Sequence, residues 1–217
     1  MEEIPHIGKE QCAKLRIEDK SGPEIPARPQ WFVINAYAQK SLWAEKVLSG
    51  KGGLPHFIPK RYVIRNIQYR PRKVLVPLIP NMIFVHSTYA RINSLQQNYS
   101  FMGFATCLKD GHRTPLVVPD GQMESFRKVA EHYEKELLYY KPEEVRLKRG
   151  EYIRIVGGEF DGVVGRLIRQ RGRKSRRVVV EIPNLAAVAT TDIEPEYIQI
   201  VTKDEYLSGI GESEHYL

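Results

Sequence analysis

The spacing of apolar positions changes along the chain, and each change marks an element. Trp31-Phe32-Val33-Ile34 is an unbroken apolar run of strand length. Before it, residues 1–30 mix charges with Pro23, Pro26 and Pro29 and hold no period, so they are expected to form a poorly ordered arm. A helix is expected over about residues 40–49, with Trp43, Val47 and Leu48 as its buried stripe and Gly50, Gly52 and Gly53 as its stop. Phe57-Ile58-Pro59-Lys60-Arg61-Tyr62-Val63-Ile64 is strand-like but broken by proline. Pro77 and Pro80 then precede the clean strand Met82-Ile83-Phe84-Val85. Asp110-Gly111 is a hairpin signal between Thr106-Cys107-Leu108 and Leu116-Val117-Val118. From Asp120, a capping residue, Met123, Phe126, Ala130, Tyr133 and Leu137 recur every three or four positions. They predict one long helix that ends at Lys141-Pro142.

Beyond that proline the period shortens to strand spacing, with strands expected over 151–156, 163–170, 176–182, 185–191 and 197–201. Five short strands with turns suit a small barrel. The expected fold class is therefore α+β, an antiparallel sheet flanked by helices followed by an all-β module. The expected division is an arm at 1–30, a first domain at 31–140, a linker at 141–146, a barrel at 147–202 and a tail at 203–217.

Charge adds a class of partner. The formal net charge is +7 over 217 residues, which favours polyanions. Two basic regions stand out. Lys60, Arg61, Arg65, Arg70, Arg72 and Lys73 interleave with Tyr62 and Tyr69, cations beside rings that can stack on unpaired bases. Arg166, Arg169, Arg171, Arg173, Lys174, Arg176 and Arg177 follow one another without an acid, around Gly172. Cys12 and Cys107 make neither a disulfide framework nor a zinc ribbon, which fits a reducing compartment. The first residues lack the basic start and apolar run of a signal peptide, and no apolar run approaches membrane-spanning length. A cytoplasmic location without membrane attachment is expected. No phosphate loop, paired Cys-x-x-Cys, His-Glu-x-x-His or Gly-x-Ser-x-Gly occurs, and the six histidines are dispersed. Asp110 with His112 falls on a predicted turn. The chain is therefore expected to be no enzyme, and to need neither cofactor nor metal.

Residues 148–167 form a strand, a turn and a second strand, with Gly150, Gly157, Gly158, Gly162 and Gly165 at the turn and the strand bends. This order resembles the KOW motif, found in SH3-like barrels of transcription and ribosomal proteins. Upstream, Trp31-Phe32-Val33, then Phe57-Ile58-Pro59, then Pro80-Asn81-Met82-Ile83-Phe84-Val85 resemble the N-terminal domain of the NusG/RfaH superfamily. Asn81 stands where general NusG proteins have glycine and is similar to the asparagine of RfaH-type members. Val117-Val118-Pro119-Asp120 and Ala187-Val188-Ala189-Thr190 make the pattern most similar to UpxY-type antiterminators of capsular-polysaccharide operons.

The resemblance implies a non-catalytic factor docked on the clamp helices of the largest RNA polymerase subunit. It also implies contact residues: Met82 and Phe84 on one strand face, with Phe104 and Met123 beside them. Arg91-Ile92-Asn93-Ser94 replaces the His-Thr-Thr stretch of RfaH. Lys40 and Lys46 lie on the first helix, where specialised relatives contact DNA. Non-template DNA or nascent RNA are further candidate partners, as are a ribosomal protein or Rho through the barrel, and a monomer is expected. Two alternatives stay open: a ribosome- or RNA-associated protein that uses the barrel as its RNA module, and a general NusG.

Overall fold

A computed structural model describes residues 27–109, 111–132, 138–140, 150–169, 176–182 and 185–211. The expected arm up to residue 26, the linker at 141–146, and Arg171, Arg173 and Lys174 lie outside the described residues.

The expected mixed architecture with antiparallel sheets is observed. The first sheet centres on β1 (Gln30–Ala36). Beside it lies β5 (Met82–Ser87), then β2 (His56–Phe57); on the other edge β6 (Met102–Phe104) and β9 (Val117–Val118) share the length of β1. The β1–β5 register places Val33 opposite Phe84 and Asn35 opposite Met82. Alternation then sorts the side chains into two faces. One face carries Phe32, Ile34, Ala36, Ile83 and Val85 and packs beneath α1 (Ser41–Val47) and α2 (Tyr89–Asn98). The opposite face carries Val33, Phe84 and Val118 and packs beneath α3 (Asp120–Ala130).

Several elements differ from the sequence expectation. In α1 the buried side chains are Ser41, Ala44 and Val47, continued by Leu48 in a π-helical turn over Leu48–Gly52. Trp43 is about half exposed and lies on Phe101 with ring centroids 4.2 Å apart. Residues after Pro59 form a ribbon, β3 (Lys60–Ile67) paired along its length with β4 (Arg70–Pro77). Across the expected turn, β7 (Thr106–Lys109) pairs with β8 (His112–Pro115) and not with Val117-Val118, which pair with β1 instead; Asp110 lies outside the described residues. Helix α3 ends at Ala130, and Leu138–Tyr140 form β10 rather than the last turns of a long helix. The pairing of β10 with β14 (Ala186–Ala189) explains this: two tyrosines suit a strand, and a neighbouring strand supplies the ladder.

The C-terminal module is a six-stranded antiparallel sheet in the order β10, β14, β13 (Arg176–Ile182), β12 (Val164–Arg169), β11 (Tyr152–Ile155), β15 (Ile198–Ile200). No closed barrel is found among the described residues. The addition of β10 at one edge replaces the five-strand count expected. Gly157, Gly158 and Gly162 have φ of +106°, +70° and +81°, the backbone that a reversal between β11 and β12 requires. At Gly165 a Cβ would stand 2.5 Å from the Val179 carbonyl oxygen, so only glycine permits the β12–β13 approach. The expected tail at 203–217 contains α4 (Lys203–Ile210), held against the sheet by Tyr206 and Ile210 beside Val164.

Both modules share one core. Val33, Phe84 and Val118 of the first sheet, Met123, Phe126, Val129 and Ala130 of α3, and Ile153, Ile155, Val178, Val180 and Val188 of the second sheet form a continuous buried cluster. Helix α3 is thus the middle layer of a sheet–helix–sheet stack.

Candidate docking face and basic surfaces

The expected apolar docking patch is not one open surface. Met82 and Phe84 do share a face, as strand alternation requires, but only Met82 is half-buried; Phe84 has no exposed area. Phe84 lies against Phe57 and Phe126, with ring centroids 6.4 and 5.8 Å away. Met123 is likewise fully buried, in α3. Phe104 lies on the other side of the sheet. It pairs with Ile34, stacks on Tyr89 at 4.9 Å and meets Phe32 edge-on at 5.5 Å. The sequence placed Met82, Phe84 and Met123 near one another but could not show that a helix seals them, because the cover comes from distant residues.

Polar contacts fasten that cover. Gln122 donates to the Glu181 carbonyl and Lys128 to the Asp161 carbonyl. The Val164 N–H donates to Ser125 Oγ at 3.3 Å. His132 stands 3.1 Å from Glu159. Gly121 packs so closely on α4 that a Cβ there would overlap the Gly209 carbonyl oxygen. The outer side of α3 is therefore bound to the C-terminal sheet, while Phe126 holds its inner side to the first sheet.

At the rim of this face is a cleft of about 510 Å³ lined by Trp31, His86, Asp120, Glu124, Arg127, Lys128 and Glu131. The Arg127 guanidinium lies over Trp31 and Phe57, 5.7 and 5.6 Å from the ring centroids, and also bonds Glu131. Nothing in the helical spacing singled out Arg127, because a cation on an amphipathic helix reads as solvated surface.

Asn81 has φ +62°, the left-handed region where glycine and asparagine are the tolerated residues. Its Oδ1 accepts from the Gln39 N–H at 2.8 Å and its carbonyl from the Ala36 N–H at 2.7 Å. The side chain thus closes the turn after β1, where Ala38 and Gln39 also have positive φ.

The basic residues divide by place. Arg61, Arg65, Arg70 and Arg72 are exposed on the β3–β4 ribbon, and so is Lys73, which sits over the Tyr62 ring at 4.2 Å. Lys40 is exposed and covers Trp43 and Phe101, 5.4 Å from each ring. In the C-terminal sheet Arg169 pairs with Arg176, and Arg166 lies over Tyr152 at 5.2 Å. The two basic regions are thus in different modules.

Residues 29–127 match the NusG family model, described as transcription termination factor nusG. This stretch runs from β1 through most of α3 and includes the whole first sheet and the ribbon. Over these residues, somewhat under half of the chain, the sequence is similar to the NusG family. No curated protein matches the chain. Among the described residues no helix is long and apolar enough to cross a membrane.

Proposed function

We propose that this protein is an operon-specific elongation and antitermination factor that docks on RNA polymerase through the first-sheet face carrying Met82 and Phe84. The match of residues 29–127 to the NusG family carries this reading. Asn81 in a left-handed turn supports the specialised, RfaH-like branch, because asparagine supplies both the backbone angle and a turn-closing acceptor. The activity is non-catalytic and cytoplasmic. The C-terminal sheet is the KOW-type module, with a ribosomal protein or Rho as its partner, and the regulated operon directs polysaccharide synthesis.

Docking at this face exchanges intramolecular cover for polymerase. Phe84 is sealed by α3, which is itself packed on the C-terminal sheet, so the clamp helices compete with those layers. A ligand shifts an equilibrium only by its preference for one state. A preference of about 1.4 kcal/mol for the elongating over the paused enzyme changes their ratio roughly tenfold. A modest surface therefore suffices.

Two measurements on the full chain test the proposal. Immobilised core polymerase is expected to retain it, and transcription through a pause and a terminator is expected to give more read-through in its presence. Absence of both effects overturns the reading. Binding to ribosomes or structured RNA without polymerase retention would favour the RNA-associated alternative, for which the opposed Arg169–Arg176 pair is the supporting observation.

A further inference from the structure

The β3–β4 ribbon projects from the body, and every residue from Ile64 to Lys73 is exposed. It contains no acid between Lys60 and Pro77. At its base Lys60 is fixed to Glu45 of α1 at 2.7 Å. The register sorts the other cations by face. Arg61 opposes Val76, Arg65 opposes Arg72 and Ile67 opposes Arg70, so the four arginines share one face. Tyr62 and Lys73 lie on the other. Among the described residues none of the four arginines has an ion-pair or hydrogen-bond partner. Like charges directly opposite one another destabilise an isolated ribbon. The tip adds a second cost: Gln68 and Tyr69 have φ of +51° and +61°, angles unfavourable for their side chains, and this turn holds Tyr69 wholly in solvent.

We propose that the arginine face of the β3–β4 ribbon is a docking surface for double-stranded DNA, laid into the major groove. A two-stranded ribbon has the size that groove admits, and guanidinium forks match both phosphates and guanine edges. Single-stranded nucleic acid calls for a row of exposed rings, whereas the exposed tip offers Tyr69 alone. The major groove of duplex RNA is too deep and narrow for side chains to read. This surface is separate from the Met82–Phe84 face, and the proposal stands or falls without reference to polymerase.

The test is fluorescence anisotropy of the full chain against a short mixed-sequence DNA duplex. Comparators are one of its strands alone, the corresponding RNA duplex, and vesicles of mixed phosphatidylcholine and phosphatidylserine. The DNA duplex is expected to bind tightest. Arg65→Ala with Arg72→Ala should weaken binding roughly tenfold and lower the slope of log affinity against log salt by about two. Lys73→Ala, on the opposite face, should leave affinity within about twofold. Arg61→Ala with Arg70→Ala is an equivalent pair should the first fail to fold, with thermal melting as the check. Unchanged affinity and slope in the arginine variants overturns the proposal, as does tighter binding to the single strand, the RNA duplex or the vesicles.

Discussion

At the residue scale, two positions show how much a side-chain identity reveals before its surroundings are known. The identity of Asn81 is plain in the sequence, but the reason for it appears only in the backbone: φ is +62° and the amide oxygen closes the turn on Gln39. Asn81→Gly keeps the angle but removes the acceptor for the exposed Gln39 N–H, and should cost no more than about 1 kcal/mol. Asn81→Leu should cost about 1–2 kcal/mol, because leucine lacks both the oxygen that accepts from Gln39 and the tolerance of the left-handed region that a short polar side chain gives asparagine. Urea denaturation of the two variants checks this. Phe84 gives the opposite lesson. Its place on a strand face was legible from alternation; its complete burial under Phe126 and Phe57 was not. Phe84→Ala is expected to cost about 3–5 kcal/mol, as for a large core ring, and Phe84→Asp to prevent folding rather than to disable an exposed contact. A loss below about 1 kcal/mol by urea denaturation would show that the site opens readily.

At the element scale, the strands with a clean period were legible and the ones that depend on a turn or a neighbour were not. Met82–Ser87 was legible from the unbroken apolar run that opens it, buried on both faces, and Tyr152–Ile155 by its alternation. The ribbon was hidden because its turn, Gln68-Tyr69, contains neither glycine nor asparagine. The end of α3 was hidden because helical spacing continues past Ala130 in the sequence. Helix α4 carried its own signal, Thr202 followed by Glu205, a capping box whose side chains and backbone bond reciprocally. Thr202→Ala should cost about 1 kcal/mol.

The same helix predicts a dependence on pH. Backbone and hydroxyl hydrogen bonds from Thr202 hold the Glu205 carboxyl below its usual range. A lowered folded value means that this contribution is present at neutral pH and is lost on acidification. Burial pushes the Tyr206 phenol up to about 12 from its ordinary 10.0. The unfolded chain gives up that proton first, so stability is expected to fall as pH rises between those two values. Tyr206→Phe should flatten this alkaline decline in melting temperature; an unchanged decline would place its cause elsewhere.

At the scale of the whole molecule, the decisive feature is the position of α3. Each module's apolar residues, taken alone, read as the core of that module. The match to the NusG family ends at residue 127, inside the helix that binds the two modules together. Helix α3 therefore lies over the proposed docking face from one side and is fastened to the C-terminal sheet from the other. If the covered state is the resting state, apparent affinity for polymerase equals intrinsic affinity reduced by the uncovered fraction. Gly121 offers a way to change that fraction without touching the face. Any Cβ there overlaps the Gly209 carbonyl oxygen, whereas the first sheet is untouched. Gly121→Val should thus loosen α4 and the C-terminal sheet from α3, speed amide exchange along α3, and raise retention on core polymerase. Faster exchange with unchanged retention would mean that polymerase does not compete for the face beneath α3. It would leave Met82, half-buried at the edge, as the one member of the expected patch available on that face, with Phe104 half-buried on the other side of the sheet.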